Sequence, residues 1–439
     1  MNEQNSNQSS WMPAITAALG AFLLIGNVSM LTLATTAITA VFGDPLLVSV
    51  ALAIAGLVNA SLIITGGKIG YMNGLRRALL IGLIIFIVGN IVAGLSLNSL
   101  MFLVGFALIM PLGFILAFPA TGSLLIAKYE GKQRNIAFGI YAGFIGLTSA
   151  LAPLLMGTFA SFIDWRLMFA YQILLAVIIM LLLRTFTETK KYPGTIDWIG
   201  TLFIILAFAP LILGLALLSV NLLYSILIVV GALFFGVFWW WSTRLDKADR
   251  NPIFRVQIFR NRVFTIMVIY VFVYTFAAGG TIYLFPQILQ GLGFPAFDTA
   301  LITLAYTLPV FFVAFVAGNL GERFQPKYLI IIGTVFIIVG LSALFIVPGL
   351  PIFAIIGILL LIGVGAGLIL PYVQNIALSS VDTTNVGEAS GMYMSIQELG
   401  AAVGAAIIAA IAITAGYVFV AGITLAVIVA LFIPRTHQS

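Results

Sequence analysis

The chain has 439 residues, 62% of them hydrophobic and only 7% charged, with a formal net charge of +6 and no cysteine. Soluble domains carry about 45–50% apolar and about 25% charged residues, so a water-soluble globular fold is excluded, and a mean hydropathy of +1.22 makes lipid the solvent. Disulfides are excluded as well, and the basic balance needs no nucleic-acid partner, because topology accounts for it.

In lipid the backbone must close its own hydrogen bonds, which leaves helices or a closed barrel. Continuous apolar runs, rather than ten-residue segments of alternating polarity, select helices. In chain order the expected spans are 12–41, 45–66, 77–97, 100–126, 135–160, 167–185, 197–218, 221–242, 263–289, 297–319, 327–347, 351–378, 387–413 and 416–433. These fourteen spans leave only short connections and two tails, with no room for a soluble domain. The tail before the first span carries Glu3 and no Lys or Arg, and no small-residue cleavage site follows, so the first helix is expected to be retained.

Lys and Arg are held on the cytoplasmic side during insertion. With the N-terminus inside, alternate connections collect Lys68, Arg76 and Arg77; Lys128, Lys132 and Arg134; Arg184, Lys190 and Lys191; the stretch from Arg244 to Arg262; Arg323 and Lys327; and Arg435, leaving Arg166 alone outside. Both termini are therefore expected in the cytoplasm and the chain in the cell membrane.

The chain also repeats. Gly67, Gly70 and Arg76 match Gly318, Gly321 and Lys327 at an offset of 251, while Gly113 and Pro119 match Gly365 and Pro371, and Gly139 and Tyr141 match Gly391 and Tyr393, at 252. Spans 1–6 and 9–14 are then parallel repeats with spans 7 and 8 inserted, the plan of a rocking transporter with a midplane site. The expected division is a tail 1–11, a six-helix bundle 12–186, two inserted helices 187–243, a cytoplasmic connection 244–262, a second six-helix bundle 263–433 and a tail 434–439.

With these features the chain resembles the 14-helix drug:proton antiporters of the major facilitator superfamily. The stretch from Gly67 to Arg77 sits where that superfamily has G-x-L-x-D-R-x-G-R-K. Trp165, Arg166 and Phe169 resemble W-R-x-x-F at the sixth helix, Asp197 to Gly200 the D-x-x-G start of the seventh, and Phe259 to Phe264 the L-F-R-N-R-x-F entry to the ninth. The resemblance implies an all-α polytopic membrane protein with the major facilitator fold, fourteen transmembrane helices arranged 6 + 2 + 6, and multidrug efflux driven by protons. Departures fall on the family's charged machinery: Asn27 stands where the first helix usually has an acid, Tyr71 replaces the loop aspartate, Phe106 stands near the fourth-helix arginine, and Ala152 to Gly157 is a degraded G-P-x-x-G-G signature containing Pro153 and Gly157. Glu322 and Arg323 remain in the second copy of the loop, so these four residues, Glu322, Arg323, Pro153 and Gly157, are the gating candidates.

One residue stands apart on physical grounds. Every acidic side chain but Glu398 maps to a tail, a turn or the first turn of a span, where water is expected to reach it. Glu398 lies about 16 Å into the thirteenth span, near the middle of a core of about 30 Å. Desolvation there disfavours the charged form, no Lys or Arg is expected at that depth, and an intramembrane acid marks a transport path by default. At the repeat offset it aligns with Gly146, so the acid belongs to one half only. Further candidates for the cavity are Asn27, Tyr141, Gln172, Tyr274, Tyr283, Gln287, Tyr306, Gln374 and Asn375, polar tips within apolar spans. Aromatic walls would suit flat lipophilic cations.

An intramembrane enzyme needs a nucleophile with a base, paired carboxylates or a metal cluster. The chain has no cysteine, its single histidine is in the tail at His437, and no second acid shares the depth of Glu398; no phosphate-cradling loop occurs either. The expectation is a non-enzymatic exporter without cofactor or metal, driven by the proton gradient, sufficient as a monomer, exchanging protons for a lipophilic cation at Glu398. The alternative is a proton-coupled or facilitative carrier of a small metabolite or neutral lipophile, in which Glu398 is structural or only hydrogen-bonds.

Overall fold

The computed structural model describes residues 11–33, 35–44, 47–218, 221–248, 250, 252–291, 296–321, 323–346, 351–382, 385–411, 429 and 431–433. Its described residues form helices and short connections without any strand. The first half comprises α1 (Met12–Leu33), α2 (Thr35–Phe42), α3 (Leu47–Asn73), α4 (Leu75–Gly94), α5 (Ser99–Leu103), α6 (Met110–Lys128), α7 (Gly131–Phe162) and α8 (Leu167–Leu182). The inserted pair is α9 (Trp198–Leu217) and α10 (Ser225–Lys247). The second half comprises α11 (Arg262–Gly291), α12 (Ala296–Leu320), α13 (Pro326–Ile346), α14 (Ile352–Ser379) and α15 (Val386–Ile411).

These helices occupy the first thirteen expected spans. Nine stretches among the described residues are long and apolar enough to cross a bilayer; the fourteenth span, the tails and Glu322 lie largely or wholly outside the described residues. α5 and α6 are joined through six residues of π-helix, Val104–Ile109, in which Phe106 is fully buried and stacks on Phe102. Two of the helices, α5 and α9, start at a polar cap. Asn98 accepts from the Met101 amide, and Asp197 Oδ1 from the Gly200 amide at 2.8 Å. The tight turn between α3 and α4 is made at Gly74, whose φ of 99° favours glycine.

The repeat read from the glycines becomes packing. In the first half α4 and α6 cross so closely that a Cβ on Gly113 would lie 2.5 Å from the Gly82 carbonyl oxygen; in the second, α13 and α14 put a Cβ on Gly365 at 2.5 Å from the Gly333 oxygen. The halves then meet along two seams, α3 with α15 and α7 with α12. At the first, a Cβ on Gly67 would be 2.9 Å from the Gly391 Cα; at the second, a Cβ on Gly318 would be 3.0 Å from the Gly139 Cα. Without lipid-excluded hydrophobic driving force, such backbone-to-backbone approach is what holds membrane helices together.

The inserted helices pack on each other and α9 lies against both α3 and α15, with Thr65 and Thr201 hydroxyls 3.3 Å apart. One expected boundary changes. α3 continues seven residues past the span end at 66, because Lys68 is neutralised within the protein and its helix need not stop at the first charge.

Candidate functional site

On α15, positions 387, 391, 395 and 398 share a face, since side chains three or four apart stack on a helix. This face meets α3. A Cβ on Gly67 would lie 2.8 Å from the Gly387 carbonyl, Gly391 packs on Ile64, and Ser395 Oγ donates to the Ala60 carbonyl at 2.8 Å. The opposite face, Gly400 and Gly404, packs on Phe272 and Phe276 of α11. One turn beyond Ala60 along α3 is Gly56, where a Cβ would meet nothing within 4 Å. The seam is therefore closed from Gly67 to Ala60 and opens at Gly56, the level to which Glu398 belongs. Glu398 is half-buried there, and no hydrogen bond or ion pair reaches it among the described residues. A carboxyl so placed can hold a proton or meet a cation, and among the described residues no cation is paired with it.

The other cavity candidates divide into three groups. Tyr274 on α11 and Tyr306 on α12 are hydrogen-bonded to each other, Tyr274 stacks at 6.4 Å on Tyr270, and Tyr393 lies close to Tyr270 and to Tyr141. Tyr274 is at about the depth of Glu398, since the neighbouring Thr275 Oγ1 donates to the Gln397 carbonyl at 2.9 Å, and Tyr393 lies about 7.5 Å nearer the basic end. Asn27 is buried on α1 with its Oδ1 unpaired, and Asn59 on α3, which the sequence did not single out, is likewise buried with an unpaired Oδ1. Tyr141 and Gln172 are turned into the first half instead: the Tyr141 hydroxyl pairs with Thr121 Oγ1 at 2.9 Å, and Gln172 packs against Met30 beside a small void lined by Gly26 and Ala152. The side chains of Tyr283, Gln287 and Pro153, and the surroundings of Gly157, lie outside the described residues. Arg323 is exposed in its turn.

Gln374 and Asn375 lie nearer the basic end than the cavity reading placed them. A Cβ on Gly122 of α6 would lie 2.4 Å from Gln374 Nε2. Asn375 Nδ2 donates to Asn135 Oδ1 at 2.7 Å, Ser379 Oγ donates to Asn375 Oδ1 at 3.0 Å, and Arg134 Nη1 donates to Ser379 Oγ at 2.9 Å. This ladder joins α7 of one half to α14 of the other. Burial lowers the affinity of the Arg134 guanidinium for its proton from the ordinary value, without making it neutral at any physiological pH.

A charged cluster at the same end was missed. Glu388, expected within reach of water, is 1% exposed, as is Lys68; they form an ion pair at 3.7 Å across the α3/α15 seam. Arg255, in the connection leaving α10, brings its Nε to 3.2 Å from Glu388 Oε2, and Lys68 Nζ donates to the Pro252 carbonyl at 2.5 Å. The connection entering α9 holds the start of α4 and the end of α3. Glu188 accepts from the amides of Arg76 and Arg77 at 3.2 and 3.1 Å, capping α4, and Thr189 accepts from the Leu75 amide at 2.9 Å. Tyr192 stacks on Tyr71 at 4.5 Å, so the residue standing for the loop aspartate makes an aromatic contact instead. Above them a cleft of about 350 Å³ is lined by Tyr71, Lys128, Glu130, Arg134, Lys190 and Gly387, among others.

Among the described residues no group of His, Cys, Asp and Glu is arranged to hold a metal ion. The chain is 26% identical over 375 residues to the quinolone resistance protein NorB of Staphylococcus aureus strain MRSA252, covering 83% of this chain and 80% of that protein. Its fold is similar to that of the proton:xylose symporter XylE bound to 6-bromo-6-deoxy-D-glucose, with a TM-score of 0.71, 15% identity and 98% of each chain covered. It is also similar to that of the human organic anion transporter MFSD10 (TETRAN), with a TM-score of 0.69, 13% identity, and 96% and 99% covered. The model of the Major Facilitator Superfamily matches residues 17–259 and 267–439. A helical bundle of two repeated halves, meeting at two glycine seams, with this match along nearly its whole length, belongs to the Major Facilitator Superfamily and is a multi-pass membrane transporter of small molecules.

Proposed function

We propose that the protein is a proton-coupled exporter of lipophilic cations that works by alternating access, with Glu398 as the shared proton and cation site. The observation that carries this is the position of Glu398: half-buried, without a partner among the described residues, at the level where the α3/α15 seam opens. The similarity to a quinolone resistance protein supports efflux of drug-like compounds as the direction of transport. The basic end faces the cytoplasm, and both termini lie there. The contacts between the halves run from that end to mid-helix, so Glu398 faces away from the cytoplasm and takes a proton from outside. After the bundle rocks, a cation arriving from the cytoplasm or inner leaflet displaces that proton. One carboxyl then alternates between two occupants, which gives exchange of one proton per monovalent cation and disfavours divalent cations. Tyr274, Tyr306 and Tyr393 supply aromatic faces for a flat cation, and Asn27 and Asn59 offer acceptors from the other half.

The test is uptake of ethidium into inside-out vesicles under an imposed proton gradient, comparing the unaltered chain with Glu398→Gln at equal expression. Loss of gradient-driven uptake with dye binding retained is the expected result. Equal uptake by both would remove Glu398 from coupling, and a chain that moves no dye in either form would overturn the cationic substrate.

A further inference from the structure

The inserted helices are built into the seam that carries Glu398. Both connections to the pair reach the basic end of α3, the entering one through Tyr192 on Tyr71 and the leaving one through the Pro252 carbonyl on Lys68, while Glu188 and Thr189 of the entering connection hold the start of α4. The leaving connection is itself held firmly. Ile253 is fully buried against Gly200 of α9, Phe254 stacks on Phe259 at 5.2 Å and meets Phe238 of α10 edge-on at 5.6 Å. Gln257 closes the loop onto the end of α10, its amide donating to Asp246 Oδ2 at 2.8 Å. From this anchored loop Arg255 reaches Glu388 on α15, so one connection touches both halves at once.

The charges make the contact strong and reversible. Glu388 faces two cations, Lys68 and Arg255, with Asp197 and Asp246 as the further acids within electrostatic reach. Arg255 Nε and Glu388 Oε2, at 3.2 Å, are not in hydrogen-bond geometry, so attraction between them depends on separation more than on direction. A buried carboxylate left with neither cation is heavily penalised; the closed seam satisfies it and a parted seam takes Lys68 away.

We propose that the inserted pair with its two connections is a clasp on the α3/α15 seam, and that Arg255 is the positioning residue through which it holds the basic end shut. The clasp biases the transporter toward the state closed at that end, and opening toward the cytoplasm requires Arg255 and Glu388 to separate. This rests on the transport reading only in requiring that the seam open and close; it holds for any substrate.

The chain lacks cysteine, so a single Ser390→Cys reports the seam: Ser390 is fully buried and donates to the Pro119 carbonyl of the other half at 3.1 Å. The rate of its modification by a membrane-impermeant maleimide, applied to the basic side in inside-out vesicles without substrate or gradient, measures opening. Added Arg255→Gln is expected to raise that rate by about tenfold or more as the closed population falls, Glu388→Gln to do the same, and Arg255→Lys to keep it near the parent rate. Gel filtration confirms that each variant is folded. Arg255→Gln modified at the parent rate, or Arg255→Lys as fast as Arg255→Gln, would overturn the proposal. Because no transport is measured, the result is independent of whether cations are exported.

Discussion

At the α7/α12 crossing the halves meet through backbone and hydrocarbon: Gly139 on Gly318, then Gly143 and Gly146 against Val310 and Phe311. At the α3/α15 crossing, its counterpart by the repeat, the same glycine contact is made by Gly67 and Gly391. There, however, it is flanked by Lys68, Glu388 and Arg255 toward one end and by Glu398 toward the other. The counterparts of Lys68 and Glu388 are Asn319 and Ile136, and the counterpart of Glu398 is Gly146. Shape has kept the two-fold relation and charge has not. A rocking bundle needs two equal pivots, whereas the proposed coupling to a proton needs an acid at only one of them, and on α3 and α15 these demands fall on different atoms.

The sharpest way to break this comparison is to remove charge from one seam. Glu388→Gln leaves Lys68 buried beside Arg255 and is expected to cost about 3–5 kcal/mol, read as a large fall in the thermal midpoint in detergent. Ile136→Leu, at the matching position, should leave that midpoint nearly unchanged. Shape should show the opposite pattern. Gly67→Ala and Gly318→Ala each force backbone apart and should each cost about 1–3 kcal/mol, by the same assay; a difference between them larger than that range would mean that the pivots are not equivalent. Asn375→Ala removes the Asn135 rung between α7 and α14 while leaving Arg134 on Ser379 and should lower stability by about 0.5–1.5 kcal/mol, with the basic-side labelling of Ser390→Cys rising modestly. The smallest effect belongs to Arg323→Gln, an exposed turn residue, expected within about 0.5 kcal/mol and without consequence for dye uptake. A strong uptake defect there would assign the second copy of the loop a role that its position does not suggest.

Much of the fold is legible in the sequence because lipid imposes one dominant signal, and helices occupy thirteen of the expected spans, most of their ends within a few residues of the apolar runs. The glycine offsets were legible for a similar reason: Gly67, Gly139, Gly318 and Gly391 have no side chain to substitute for, so both copies keep them where backbones touch. Glu398 stood out by depth alone. Lys68 and Glu388 did not, because each sits within a turn of the end of an apolar run, where hydropathy cannot distinguish a solvated charge from one paired across to another helix. Arg255 was hidden for a different reason. Its role depends on how residues 252–260 fold back onto α9 and α10, which no periodicity encodes. Asn375 is only three residues from the end of its span, a depth that belongs to the basic end and not to the level of Glu398.

The placement of α9 and α10 also decides what the surrounding membrane can feel. The α3/α15 seam has a protein cover on its outer side, while α12 presents Phe312, Phe315 and Val316 outward beside the other seam. Acyl chains therefore press on one pivot and are kept from its twin. Changes in bilayer thickness or lateral pressure therefore reach the bundle first through α7 and α12, while the seam that carries Glu398 is shielded from them by α9.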